Sequence, residues 1–563
     1  MSSFINIVDS LDNPALPGPY ALDAIVYGAP GLDYGNDPDL AQYTTFQTPT
    51  TGYQTRTIDL SDFADLPATP KWPFQASNVP INGLLRVPQG CGSFPLVLIA
   101  HGNHWPVENS TPGYGYLLDL LASHGIIAGS VDCNFLNGAN WGESDGRAIV
   151  HLEHIKQFQI WNQQPDHPLF GKVDLSNIMI AGHSRGGEAI GYASYFNTLD
   201  AVVPNPGESP VPLDGSSGLG PYHFNLKAVV AIAPTANQYQ PVNGPIPITD
   251  NYVILHGSED GDVWTFEGYQ TYDQAHPIDL SAPTQSARGF KALVWIYGAN
   301  HNFFNSVWPQ EGSPSLSRAE QETIAKVFIS AIAQGVLLHR SDYLHLLKDV
   351  HWAQQQGWLP ETVTLVNQYQ DPDRLFIAHY EEDTIPTTLS PPVQGRINIT
   401  GIAAGRELVF NQNTQGNLYQ QTRGFRADWD GSGQQFVIHL DPDGLPPHAL
   451  QVLSLRAGQS NDPKNLADHV LNFTIALSDA NQTHAVKAAD FATLPYPAQI
   501  GREVRPNLRR SVMQTIRIPL SIFVDNGVDI QHLRTITFRF DQPMSDTNLF
   551  RGSLYFDDIQ LCN

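Results

Sequence analysis

Asn177-Ile178-Met179-Ile180-Ala181 runs directly into Gly182-His183-Ser184-Arg185-Gly186-Gly187, and Glu188-Ala189-Ile190-Gly191-Tyr192 follows. The first of these segments reads as a strand. The segment from Gly186 to Tyr195 reads as a helix, so the residues between form a tight strand-to-helix turn. Side chains at Gly182 and Gly186 would collide there with the neighbouring strand and helix. The turn forces its central residue, Ser184, into a strained conformation that presents the hydroxyl at the sheet edge. The start of the helix then turns its free N–H groups and its positive end towards that hydroxyl. Strand, turn, Gly187 and helix agree, which lifts this G-x-S-x-G above a chance match.

The same texture extends outward on both sides. Leu84–Pro88, Pro95–Ala100, Ile126–Val131, Lys227–Ala233, Tyr252–Leu255 and Ala292–Tyr297 read as strands. Tyr114–His124, Arg147–Trp161 and Ser317–Leu338 read as helices, the last opened by a Ser317/Glu320 capping box. Such alternation predicts an α/β domain over 81–340, a mostly parallel sheet covered by helices on both faces. Residues 1–80 are rich in Pro, Gly, Asp and Thr and read as an extended N-terminal arm. A helical connector at 341–373 follows, carrying a helix at Asp342–Gln356. From 374 to 563 the segments are short, β-like and separated by turn clusters such as Asp441-Pro442-Asp443-Gly444, which predicts an all-β sandwich or jelly-roll domain. Arg406–Phe410, Gln435–Leu440, Leu450–Arg456, Leu471–Leu477, Thr515–Pro519, Thr535–Phe540 and Ser553–Leu561 are its expected strands.

Bulk properties narrow the partners. The chain has 563 residues and a formal net charge of -25, with no run of Lys and Arg to offset it. Such a charge disfavours nucleic acid and anionic membrane surfaces. No stretch approaches the roughly 20 apolar residues of a membrane helix, and Met1–Tyr20 lacks the pattern of a signal peptide. A soluble protein is expected; compartment and oligomeric state are not set by the sequence. Cys91, Cys133 and Cys562 are an odd number without C-x-x-C spacing, a poor basis for disulfides or zinc.

A serine hydroxyl is a weak nucleophile and needs a base, whose tautomer needs an orienting acid. After a serine on such a turn, acid and histidine follow in that order. Tyr252–Leu255 runs into His256-Gly257-Ser258-Glu259-Asp260-Gly261-Asp262, and Ala292–Tyr297 into Gly298-Ala299-Asn300-His301. His301 lies just past the last apolar strand and is the expected base. Glu259, Asp260 and Asp262 compete as the acid, and Asp260 has the expected spacing from His256-Gly257. The oxyanion donors should be the N–H of Arg185 and, from the His101-Gly102-Asn103-His104-Trp105 loop, the N–H of Asn103. His104, Trp105 and Trp264 are expected to line the substrate pocket, Trp264 in an aromatic run with Phe266, Tyr269 and Tyr272. His101 and His104 have no carboxylate cluster beside them in sequence, so no metal is expected.

His101-Gly102, Gly182–Gly187, Asp260 and His301 together resemble the α/β-hydrolase superfamily over about residues 76–340. Within it, Gly-His-Ser-Arg-Gly-Gly resembles chlorophyllase-like enzymes. The wider pattern is similar to cutinase and polyester-hydrolase enzymes and to platelet-activating-factor acetylhydrolase-like esterases. The resemblance implies a serine esterase acting on a small or polymeric ester through an acyl-enzyme, without a cofactor. Alternatives are an acyltransferase with the same triad, or a glycan- or polymer-binding protein with a vestigial hydrolase domain. Arg185 departs from the apolar or small residue that many lipases and cutinases carry after the nucleophile. Gly552–Leu561 is similar to the terminal strand of jelly-roll carbohydrate-binding modules, and that likeness implies a structural calcium beside Asp557-Asp558.

Overall fold

The computed structural model describes residues 11–138, 143–239, 248, 251–265, 267–275, 289–402, 406–409, 422–447, 449–500 and 508–563, so Phe266 of the expected aromatic run lies outside the described residues. The chain forms two compact units. The first comprises Met1–Lys291, Gly298–Leu346 and His351–Val363, the second Ala292–Tyr297, Leu347–Val350 and Thr364–Asn563.

In the first unit a mixed sheet carries β1 (Leu22–Tyr27), β2 (Gly83–Pro88), β3 (Phe94–Ala100), β4 (Ile127–Val131), β5 (Val173–His183), β6 (Leu226–Ile232) and β7 (Asn251–Gly257), in the order β1-β2-β4-β3-β5-β6-β7. β4-β3-β5-β6-β7 pair in parallel, whereas β1 and β2 run antiparallel at one edge. Every residue of β3 is buried. Successive side chains point to opposite faces, so both faces of the sheet are covered. Covering helices are α1 (Gly115–Ser123), α2 (Ser144–Gln163), α3 (Arg185–Phe196) and α5 (Arg318–Leu337), with α1 packed on α5 and α2 on α3; α4 (Glu267–Gln274) lies on β7. The capping box of α5 forms as its sequence dictates, Ser317 Oγ accepting from the Glu320 N–H and the Glu320 carboxylate accepting from the Ser317 N–H.

The N-terminal stretch, read from composition as an extended arm, supplies the antiparallel edge strand β1 and buries Tyr27, Tyr34, Leu40, Tyr43 and Phe46. Its aromatic residues meet α2, which is buried almost all round although it carries Arg147, His151, Glu153 and His154. Tyr27 Oη lies 2.8 Å from His154 Nδ1. The fully buried Glu153 carboxylate pairs with Arg56 and accepts from the Gly220 N–H at 3.0 Å and Tyr222 Oη at 2.8 Å. One side chain on α2 therefore fastens both the N-terminal stretch and the loop that precedes β6.

In the second unit, the first of two antiparallel sheets runs in the order Arg406–Val409, Arg423–Asp430, Arg551–Cys562, Val452–Gln459, Gln514–Pro519, with Arg374–Ala378 also pairing with Arg551–Cys562. The second runs Gly395–Thr400, Gln435–Leu440, Thr535–Arg539, Thr474–Ser478, Thr483–Lys487. Aromatic residues of the two sheets share one core: Phe425 meets Phe436 at 5.1 Å between ring centroids, and Phe556 meets Phe538 at 6.0 Å. The chain thus combines an α/β unit with a β-rich one.

Replacing a buried, multiply bonded carboxylate leaves a cation and two donors without their acceptor. Glu153→Ala should therefore lower the unfolding free energy by about 3 kcal/mol. Urea denaturation followed by tryptophan fluorescence measures this, and a change within experimental error would remove the fastening role of Glu153.

Candidate functional site

Ser184 stands between β5 and α3 with φ 59° and ψ −126°, a left-handed backbone that non-glycine residues rarely adopt. Its N–H donates to Ile232 O at 2.8 Å, which anchors the turn to β6. A Cβ on Gly182 would overlap the carbonyl oxygen of Gly186, and one on Gly186 would press on the carbonyl of His101. The glycines are thus required by the approach of strand, helix and the loop after β3. Ser184 lies at the carboxyl edge of the parallel strands, as the turn requires, yet it is only 2% exposed. The cause is the loop after β3: a Cβ on Gly102 would run into the serine side chain. The side chain that sequence places openly at the edge is roofed by neighbouring loops.

β7 ends at Gly257 and delivers Asp260, while the strand Lys291–Ile296 leads the chain to His301. His301 Nδ1 lies 2.8 Å from Asp260 Oδ2, and both side chains are buried. Asp260 Oδ1 accepts from the N–H groups of Asp262 and Val263, at 3.0 and 2.6 Å. His256 Nε2 lies 3.3 Å from Asp260 Oδ2, so the carboxylate sits between two imidazoles. The competing acids separate clearly. Glu259 accepts from the N–H and hydroxyl of Ser315, each at 2.7 Å. Asp262 is exposed and approaches the other ring nitrogen, its Oδ2 3.7 Å from His301 Nε2.

Burial works against both charges of the pair but is outweighed in each. The Asp260 carboxylate and its hydrogen bond hold the His301 pKa above the ordinary histidine value, and the His301 charge and histidine hydrogen bonds hold Asp260 well below the usual carboxylate range. His301 Nε2 is buried and makes no hydrogen bond among the described residues. The ring lies beside the serine turn, its centroid 4.8 Å from that of His183. The acid–imidazole half of the constellation is assembled, and the serine–imidazole hydrogen bond is not formed.

Trp308, which sequence reading did not select, organises the histidines. Its ring stacks on His104 (5.1 Å, 13°) and His301 (6.1 Å, 10°) and tilts against His183 (4.7 Å, 33°), while its Nε1–H donates to Ser110 Oγ at 2.9 Å. His104, expected to meet substrate, is committed to this stack, with Nδ1 2.6 Å from Glu108 Oε2. Burial lowers its pKa despite Glu108 and Asp262. Its neighbour Trp105 is 71% exposed, and Trp264 is half-buried.

The expected oxyanion side has a charged foundation. Asn103 is half-buried, and its side-chain oxygen accepts from the Gly138 N–H at 2.8 Å. The Arg185 guanidinium turns away to Glu143 Oε1 at 2.7 Å, the same oxygen that lies 3.3 Å from Arg147 Nε. Arg147 also donates to Asn137 Oδ1 at 2.9 Å and to His101 O at 3.4 Å. An arginine after the serine is thus tolerated because a buried carboxylate receives it. His101 Nδ1 lies 2.8 Å from Gly102 O, and Nε2 accepts from the Cys133 N–H at 3.0 Å. Both nitrogens are engaged within the loop, and burial, followed by the Arg147 charge, depresses the pKa to about 3.

The calcium implied for Asp557-Asp558 does not fit the residues present. Asp557 pairs with Arg456 and accepts from Thr422 Oγ1 at 2.9 Å, and Asp558 Oδ2 lies 2.9 Å from Arg456 Nε. A guanidinium already supplies the positive charge. Among the described residues no group of three or more His, Cys, Asp or Glu is arranged to hold a metal, and no helix is long and apolar enough to cross a membrane. Comparison with known proteins found no matching family model and no matching curated protein.

If His301 serves as a base, only its neutral form works, so kcat/KM for an ester should fall as pH drops through a value above the ordinary histidine pKa of about 6.5. Asp260→Asn removes the charge that raises it. The acidic limb should then move to lower pH while the rate drops by about 10^4. A pH–rate profile whose limb stays in place in Asp260→Asn would contradict the pairing.

Proposed function

We propose that the first unit is an α/β-hydrolase-type domain and that the chain hydrolyses carboxylic esters. The observation that carries this reading is the buried Asp260–His301 pair, 2.8 Å between Oδ2 and Nδ1, at the same sheet edge as a serine held at φ 59°. Ser184 Oγ attacks the ester carbonyl carbon and its proton passes to His301 Nε2, which the contact with Asp260 leaves on the side away from the acid. The serine–imidazole hydrogen bond must close when substrate enters, as commonly happens at catalytic sites. Negative charge collects on the former carbonyl oxygen, and the N–H groups of Arg185 and Asn103 are its assigned donors. The start of α3 adds the positive end of its backbone dipoles.

Collapse of the tetrahedral adduct breaks the bond to the alkoxy group, which leaves with the proton from Nε2. Water then attacks the acyl-enzyme, gives its proton to Nε2, and Ser184 regains it as the carboxylic acid departs. Asp260 stays ionised throughout. It fixes the tautomer and stabilises the imidazolium, consistent with the low pKa that His301 imposes on it. The Arg185–Glu143–Arg147 network supports the loop that carries Asn103 from beneath.

Ser184→Ala should retain the fold and lose p-nitrophenyl ester hydrolysis by a factor of about 10^4 or more. A fluorophosphonate probe should label the unmodified chain and leave this variant unlabelled. Equal labelling of both, or a tenth of the original activity in the variant, would assign the chemistry elsewhere.

A further inference from the structure

Glu311 lies between His301 and α5, outside any motif. Its Oε2 accepts from the main-chain N–H of His301 at 3.1 Å, and its main-chain oxygen accepts from Asn300 Nδ2 at 3.0 Å. A Cβ on Gly261 would overlap Glu311 Oε1, so the same carboxylate also lies against the turn that carries Asp260 and Asp262. From the helix side, Gln321 of α5 brackets Asn300, accepting from its N–H at 3.1 Å and donating to its carbonyl at 2.8 Å. The backbone under His301 is therefore gripped by an amide from α5 and by a carboxylate that reaches the acid loop.

We propose that Glu311 is a positioning residue, holding the main chain of His301 against the Asp260 turn and adding a further negative charge, beside those of Asp260 and Asp262, near the imidazole. This rests on the hydrolase reading above. The charged and titratable groups facing His301 are Asp260, Asp262 and Glu311, with His183 and His104 on its Trp308 side and His256 beyond Asp260. Those facing Glu311 are Asp260, His301 and Asp262; burial, then Asp260, lifts its pKa to about 7. The Glu311 carboxylate is thus charged above that value and takes up a proton below it. Acidification through that value withdraws one of the charges that favour the imidazolium.

Glutamine at 311 keeps an acceptor for the His301 N–H and removes the charge; alanine removes both. The test is the titration of His301 by NMR in the full chain labelled with 15N-histidine, its signal assigned with His301→Gln. It is followed in the unmodified protein, Glu311→Gln and Glu311→Ala, beside kcat and KM for p-nitrophenyl acetate. Expected in Glu311→Gln is a His301 titration displaced to lower pH, with the acidic limb of kcat/KM displaced alike and KM little changed. Glu311→Ala should in addition lose kcat by about ten- to a hundred-fold from misplacement of the base, and Glu311→Asp should recover part of it. An unmoved His301 titration in Glu311→Gln overturns the proposal, whether or not kcat falls, because a purely structural role leaves that titration in place. If the unmodified chain hydrolysed no ester, the hydrolase reading would fail while the NMR titration still decided the role of Glu311.

Discussion

The site depends on one close approach of backbone to backbone, where β5 turns into α3 at Ser184. A left-handed serine costs roughly 1–3 kcal/mol, and it persists because its surroundings leave no other conformation. The Ser184 N–H is fixed to Ile232 O, Gly182 lies against the carbonyl of Gly186, and Gly186 against that of His101. Parallel register does the rest. Ala100 of β3 stands beside Gly182 and Ile232 of β6 beside His183, so the loop after β3 meets the serine turn at one edge. Since β7 pairs with β6 in the same direction, Asp260 emerges at that edge too.

Much of this was legible in the sequence because it is written in local chemistry. The apolar run ending at Ala100, the glycines around Ser184, the capping box at Ser317 and the turn from His256 to Asp262 each state their role within a few residues. What escaped depends on partners far away in the chain. β1, Leu-Asp-Ala-Ile-Val-Tyr, is embedded among prolines and glycines and becomes a strand through β2, more than fifty residues later. Trp308 and Glu311 sit in a stretch without periodicity, and their surroundings exist only in the folded chain: His104, His183 and His301 around Trp308, and the His301 N–H and the Asp260 turn beside Glu311. In the β-rich unit, the strand Arg423–Asp430 lacks an apolar signature because Arg426 and Asp428 interrupt it; they are buried as a mutual pair with 2.9 Å between them. A hydropathy pattern cannot register charges that cancel inside.

Cancelled charge also separates supporting residues from those of the proposed reaction. Glu143 satisfies Arg185 and Arg147 beneath the loop after β3, and Asp557 and Asp558 satisfy Arg456 in the β-rich unit. Around His301 the balance is deliberately uneven, with carboxylates from Asp260, Asp262 and Glu311 facing a single imidazole. That arrangement favours the protonated ring, the form that the proposed transfer of the serine proton would create.

The proposed chemistry turns on whether Ser184 Oγ becomes acylated. The most direct measurement is rapid mixing of the protein with p-nitrophenyl acetate, reading nitrophenolate release in the first turnover and quenching for peptide mass analysis. Acylation at the proposed nucleophile requires one acetyl group on the peptide containing Ser184, formed no more slowly than nitrophenolate is released. Release of nitrophenolate with no acetyl group on that peptide at any time, or with the group on another residue, would contradict it.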